Sequence, residues 1–387
     1  MTIGRAVAAA VALAACTRCG GAPATERAEL PETKPAEVTA VVTYDPTAKI
    51  ETREEEVSFK LADHEVPGTL IQPLAPGKYP GIVMMAGSGP TDRNWESRLL
   101  PGTNGSGRLF AQLWASHGAV VLRFDKAAIG ENKLPHDKVT FDTYVDELRG
   151  ALNLLRTRDA VDVDHLFLVG NSEGGLHVIR AALGEGGRIA GVVLISSMGR
   201  TGRDISVSQN QALFDEAVRQ GTITADAAKD KMDLIKQGLD TFIEGRPMPP
   251  ELLAKEPALA QFATMPDAKL VRDMWSYDPA EGAKQIHVPV LIVQGLKDLQ
   301  IDPQLDAARL ESTIRGNGGT VQLFLAPDAN HVMKHETRPL ADLRKAPQDA
   351  IHGYNDASAK LDDTAVSAID AWLMAHTGAT AAGGAAK

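Results

Sequence analysis

The chain has 387 residues, 44% hydrophobic and 23% charged, close to ordinary globular usage, so a packed core in one large domain or two smaller ones is expected. A formal net charge of −10 without any basic cluster argues against a nucleic-acid partner. No apolar run is long enough to span a bilayer as a helix, and the two cysteines, Cys16 and Cys19, can neither staple the body of the fold nor supply a thiolate zinc site.

In chain order, Arg5 leads into an apolar run, Ala6 to Ala15, with the length of a signal-peptide core. The run ends Leu13-Ala14-Ala15-Cys16, which resembles the lipobox of bacterial lipoproteins. That resemblance implies cleavage before Cys16, acylation of Cys16, and a protein anchored by lipid to a membrane of the bacterial cell envelope, on its extracytoplasmic face. The competing reading is an ordinary secretory signal cut near Ala14 or Ala15, with Cys16 incidental. Cys19 reads as an inert neighbour. Residues 17 to about 37 carry almost nothing large and apolar and read as a tether.

From about residue 55 the pattern turns to strands. The runs are Val57–Leu61, Val66–Gln72, Gly81–Met85, Ala119–Phe124, Leu166–Val169, Ile189–Ile195, Val290–Val293 and Val321–Leu325. Most are short and continuously apolar, as strands buried on both faces of a parallel sheet are. Helical stretches alternate with them: Thr140–Arg158 with a clear apolar stripe, Gly174–Leu183 and Asp363–His376. The expected fold is therefore α/β, a mostly parallel, doubly wound sheet. Residues from about 204 to 275 contain no strand-like run and read as amphipathic helices broken at Gly245–Pro250 and near Pro266. Such an insertion suggests a cap over the active site, with Leu213, Phe214, Leu234, Leu239, Phe242, Ile243 and Phe262 shared between its own core and the roof of a substrate pocket; an extra bundle at the sheet edge is the alternative. The domain plan is thus a signal peptide at 1–15, a tether and extension at 16–54, a domain at 55–376 with its cap at about 204–275, and a tail at 377–387.

Gly170-Asn171-Ser172-Glu173-Gly174 matches Gly-x-Ser-x-Gly, entered from an apolar strand and left by a helical stretch. The serine must sit on a sharp strand-to-helix turn, and the glycines allow close approach of the flanking elements. A serine that merely caps the helix would not call for both glycines. On this motif and its setting, the chain from about residue 55 to 376 resembles the α/β-hydrolase superfamily. Gly87-Ser88-Gly89-Pro90-Thr91-Asp92-Arg93, after the third strand run, resembles the oxyanion loop of a group of bacterial carboxylesterases. The likeness implies Ser172 as nucleophile and the backbone N–H groups of Ser88 and Glu173 as the oxyanion hole. Ala86, where a His often stands, and Asn94, where an Asp often follows, depart from that pattern.

The superfamily's order of Ser, acid, His implies Asp298, on the Gly-x-x-Asp loop after Val290–Val293, as the acid, with Asp302 as rival. It implies His331, after Val321–Leu325, as the general base, with His335 as rival. An isolated His331/His335 pair lacks the glutamate of a zinc motif, so no metal is expected, nor any organic cofactor. The expected activity is hydrolysis of a small-molecule carboxylic ester through an acyl-enzyme. A peptidase or amidase on short peptides, a thioesterase, or a non-catalytic envelope lipoprotein with a hydrolase shell are the alternatives.

Overall fold

The computed structural model of the protein describes residues 40–265 and 268–377. The signal peptide, Cys16, the tether and all of the tail beyond Thr377 lie outside the described residues, as does the expected helix break at Pro266.

Among the described residues, eight strands form a single sheet in the order β1-β2-β4-β3-β5-β6-β7-β8. They are β1 (Thr52–Lys60), β2 (Glu65–Pro73), β3 (Tyr79–Met85), β4 (Val120–Phe124), β5 (Val161–Asn171), β6 (Gly191–Ile195), β7 (Val290–Gly295) and β8 (Val321–Ala326). β1 and β4 each run antiparallel to β2, and every pairing from β4 through β3 to β8 is parallel. Parallel strands must be joined by crossovers, and helices α1 (Ser106–Ser116), α2 (Thr143–Arg156) and α3 (Glu173–Glu185) cover the sheet together with the later ones.

Because side chains alternate across a strand, each central strand feeds two cores. Val83, Leu122, Leu168, Leu194 and Ile292 face one, shared with Leu148 and Leu152 of α2 and Val178 of α3. Ile82, Val121, Val169, Val193 and Leu291 face the other, under Phe110 and Trp114 of α1 and the last helix. This double burial is why these strands read as continuous apolar runs.

Two strands start five residues before their apolar signal. β1 starts at Thr52, since the charged Arg53–Glu56 stretch at a sheet edge pairs through backbone groups and needs no buried side chains. β5 starts at Val161, and a register shift between Pro80 and Gly81 opposite Asp162 and Leu166 hides the first part of the strand from any period-two pattern. The folded body also reaches further toward the N terminus than residue 55. Tyr44 is buried and its hydroxyl donates to Asp370 Oδ1 at 2.6 Å.

Between β6 and β7 the chain leaves the sheet to build a helical cap: α4 (Gly202–Arg219), α5 (Ala225–Ile243), α6 (Pro250–Lys255), α7 (Ala260–Ala263) and α8 (Ala268–Ser276). Thr201 and Thr224 cap the two long helices, accepting from the amides of Asp204 at 3.1 Å and Ala227 at 3.2 Å. The expected break at Gly245–Pro250 falls between α5 and α6. Phe242 and Phe262, with ring centroids 4.9 Å apart, anchor a core inside the cap. After it come α9 (Pro279–Ala283), α10 (Ala308–Gly316), α11 (Leu340–Lys345), α12 (Pro347–His352) and α13 (Asp363–Thr377).

Candidate active site

Ser172 stands between the end of β5 and the start of α3 with φ 55° and ψ −123°, in the left-handed region that non-glycine residues avoid. Its amide donates to the Ile195 carbonyl at 2.9 Å, which pins the turn to β6. The two flanking glycines are steric requirements. A Cβ on Gly170 would lie 2.6 Å from the backbone of Gly174, and one on Gly174 would lie 2.6 Å from the carbonyl oxygens of Met85 and Ala86. The turn therefore presses β5, α3 and the end of β3 together and lifts Ser172 above the carboxyl ends of the parallel strands, where α/β sheets bind ligands.

The loops after β7 and β8 meet at the same end. His331 Nδ1 lies 2.9 Å from Asp298 Oδ2, and both side chains are buried. Asp298 Oδ2 also accepts from Gln294 Nε2 at 3.0 Å, while Oδ1 takes the amides of Gln300 at 2.7 Å and Ile301 at 3.1 Å. Burial alone would raise the Asp298 pKa; the His331 imidazole and the two amides outweigh it and hold the carboxyl below its ordinary value. The His331 loop is fixed by Asn171, whose side-chain amide donates to the His331 carbonyl at 3.3 Å, and by Asn330 Oδ1, which accepts from the amides of Val332 and Lys334. Ser172 and His331 line one cavity, and among the described hydrogen bonds none joins them. The rivals sit elsewhere. Asp302 caps the helical turn Pro303–Ala307, accepting from the amides of Gln304 and Leu305. His335 is half exposed and pairs with Asp362 at 2.9 Å.

The loop Gly87–Arg93 follows β3 and crosses over Ser172. A Cβ on Gly87 would come within 3.3 Å of Ser172 Cβ, and Gly89 has φ 66°. Thr91 Oγ1 donates to the Ser88 carbonyl at 2.7 Å. Arg93 ties the loop to the end of β4: its amide reaches Asp125 Oδ1 at 2.9 Å and its guanidinium reaches Asp125 Oδ2 at 2.8 Å. Asn94 accepts from Arg123, and Ala86 is buried against the second core, so the two departures from the loop pattern have structural partners. Neither the Ser88 nor the Glu173 amide donates within the described hydrogen bonds, and both residues line the cavity beside Ser172.

Two cavities meet at Ser88, Ser172 and Gln300. One, of about 130 Å³, lies beneath the cap and is roofed by Ile205, Leu270, Val271, Met274 and Trp275. The other, of about 230 Å³, opens on the His331 side between Trp95, Leu100, Ile351 and Tyr354. None of the seven cap residues expected to form a core and a roof lines the first cavity. Phe214, Leu239, Phe242 and Phe262 are buried in the cap's own core, and α4 and α8 supply the roof instead. Sequence reasoning also missed Lys126 and Gln300, both lining the site. The signal for Lys126 was its place two residues past the end of β4, at the ligand-facing end of the sheet. Among the described residues no group of three or more His, Cys, Asp or Glu is arranged to hold a metal ion.

Residues 82–346 match the model of the alpha/beta hydrolase family. The esterase EstD of Thermotoga maritima is 23% identical over 291 residues, 73% of this chain and 62% of that protein, so the match spans about three-fifths of the relative's length. An uncharacterized 31.7 kDa protein of Escherichia coli is 24% identical over 229 residues, covering 57% of this chain and 76% of that one. A solved esterase of Pyrococcus furiosus superposes with a TM-score of 0.49 at 15% identity, covering 88% of this chain and 100% of that one.

Proposed function

The chain belongs to the alpha/beta hydrolase family, and from that premise we propose that it cleaves carboxylic esters through an acyl-enzyme formed on Ser172. The observation that carries this reading is the convergence of a strained Ser172, a His331 imidazole held on a buried Asp298, and two unengaged amides at one cavity. In the reaction, Ser172 Oγ attacks the ester carbonyl while His331 Nε2 takes its proton. Asp298, kept ionised, accepts from Nδ1 and stabilises the imidazolium. The Ser88 and Glu173 amides receive the negative charge that develops on the carbonyl oxygen, an interaction worth about 10²–10³-fold in rate per donor. Collapse of the tetrahedral intermediate expels the alcohol, which leaves with the proton from His331. Water, deprotonated by the same imidazole, then attacks the acyl-enzyme and restores Ser172.

The lining supports a substrate bent across Ser172. The acyl chain would lie beneath the cap and the alcohol on the His331 side, where the proton is delivered. The Gly87–Arg93 loop favours the carboxylesterase branch of the family. A fluorophosphonate probe should label wild type at Ser172 and leave Ser172→Ala unlabelled, and p-nitrophenyl butyrate turnover should fall by about 10⁴-fold or more in the variant. Unlabelled wild type would favour a binding shell. Cleavage of a peptide p-nitroanilide in preference to the ester would favour a peptidase.

The N terminus extends the reading to location. Leu13-Ala14-Ala15-Cys16, which closes the apolar run and is followed by a polar stretch, supports lipid attachment at Cys16 and a site held at the cell envelope by its anchor. Cys16→Ser should abolish incorporation of labelled fatty acid, while Cys19→Ser should not. Equal membrane partition of wild type and the Cys16 variant would refute the anchor.

A further inference from the structure

Lys126 follows β4 and is 2% exposed, a cost in desolvation that only close partners can offset. Its Nζ donates to the Gly87 carbonyl and lies 3.8 Å from Glu173 Oε1. Each partner adjoins one of the two oxyanion-hole donors. The Gly87 carbonyl shares its peptide unit with the Ser88 N–H, and Glu173 carries the second N–H on its own backbone.

We propose that Lys126 is a positioning residue for the oxyanion hole, a buried ammonium that clamps the Gly87–Ser88 peptide to the head of α3 so that both donors aim at one point. The inference rests on the reading of Ser172 as nucleophile. A trans peptide is planar, with its C=O and N–H pointing opposite ways, so holding the Gly87 oxygen fixes the direction of the Ser88 N–H. That control is needed, because Gly87 and Gly89 flank the donor and Gly89 already sits at φ 66°. A hydrogen bond on the carbonyl also polarises the peptide and strengthens its N–H as a donor.

The clamp is itself held from several sides. Asp125, the preceding residue, is bound by both the amide and the guanidinium of Arg93. The amide of Ala127, the following residue, donates to Glu147 Oε2 at 3.0 Å, on a carboxylate with no exposure. The Glu173 carboxylate lies 3.7 Å from His177 Nε2 on the next turn of α3. Lys126 thus joins the loops after β3, β4 and β5 at a single atom. Burial pushes the Lys126 pKa below its ordinary value, and the Glu173 and Glu147 carboxylates oppose that shift without cancelling it.

The test uses Lys126→Met, which keeps the length of the stem, and Glu173→Gln, which keeps the backbone donor and the volume while removing the carboxylate. Each is measured for kcat and KM on p-nitrophenyl butyrate, for inhibition by a trifluoromethyl ketone, and for thermal unfolding. The ketone adds Ser172 Oγ to its carbonyl and so places a real oxyanion in the hole. Lys126→Met should lower kcat by about 10–100-fold, less than the loss of a whole donor, with KM within about threefold. Affinity for the ketone should fall in proportion to kcat/KM. Glu173→Gln should show the same split at about 3–10-fold, and it carries the test if the Met variant does not fold. Folded variants with unchanged kcat and unchanged ketone affinity would overturn the clamp, as would a rise in KM alone. Wild type that resists fluorophosphonate would instead count against the nucleophile reading itself.

Discussion

Met274 is the roof residue whose truncation gives the sharpest test of where the acyl chain lies. It sits on α8, 6% exposed, at the wall of the cavity of about 130 Å³ next to Ser172. An apolar cavity of about 150 Å³ takes up benzene, so the unaltered space suits an acyl chain of roughly four to six carbons. Met274→Ala removes the side chain beyond Cβ, about three methylene equivalents, and each methylene accommodated is worth about 1–3 kcal/mol of discrimination. The ratio of kcat/KM for p-nitrophenyl octanoate over butyrate should therefore rise about tenfold or more. Stability should fall by about 2 kcal/mol, the low end for a buried methionine, because the side chain already borders a void. The assay is kcat/KM from acetate to decanoate with urea unfolding of both proteins. A folded variant whose chain-length profile matches wild type would show that the acyl chain does not lie beneath the cap.

Other substitutions probe the rest of the site and its frame. His331→Ala should lower p-nitrophenyl butyrate turnover by about 10³-fold or more, whereas His335→Ala, half exposed and paired with Asp362, should stay within about threefold of wild type. The reverse ranking would move the base to His335. Gly174→Ala would place a Cβ 2.6 Å from two backbone oxygens that cannot swing aside. It should destabilise by about 1–3 kcal/mol in urea unfolding, and a change near zero would refute the steric account of the elbow. His64 is pushed up to about 9 by its hydrogen bond to Glu147 at 3.0 Å, against burial and with help from Asp63. A raised pKa stabilises below the ordinary imidazole value near 6.5, and that contribution is lost as pH climbs through 9. After solvent screening it should amount to about 1–2 kcal/mol, so His64→Gln should be less stable than wild type at pH 6 and equal to it at pH 10. A gap that persists at pH 10 would rule out the ion pair as its cause.

Much of the architecture was legible in the chain because its signals are local. A strand buried on both faces has to be apolar along its length, so β3, β4, β6 and β7 announced themselves. The tight turn at Ser172 needs glycine on both sides of the serine, which leaves a short, readable pattern. The seventy-odd residues without a strand signal marked the cap for the same reason. α1 is missing from the helices read in the sequence although Phe110, Ala111, Trp114 and Ala115 form a helical stripe; Gly105 precedes it and no side chain caps its start.

What remained hidden depends on contacts between distant segments. His331 and Asp298 were named through the family resemblance, but their contact was not legible: they are separated by 33 positions, and the parallel neighbours β7 and β8 bring their loops within a hydrogen bond. The roof could not be assigned from hydropathy, because the apolar residues of the cap serve its own core as readily as the pocket. Only the way α4 and α8 lie over the sheet decides that Met274 faces Ser172 while Phe242 does not. Lys126 shows the limit most clearly. In sequence it is a charged residue after a strand, and its meaning arises when Gly87 and Glu173, from two other segments, close around it. Periodicity and turn chemistry are properties of neighbours along the chain. The orientation of a donor, a charge or a pocket wall is set by packing free energy summed over segments that no local pattern relates.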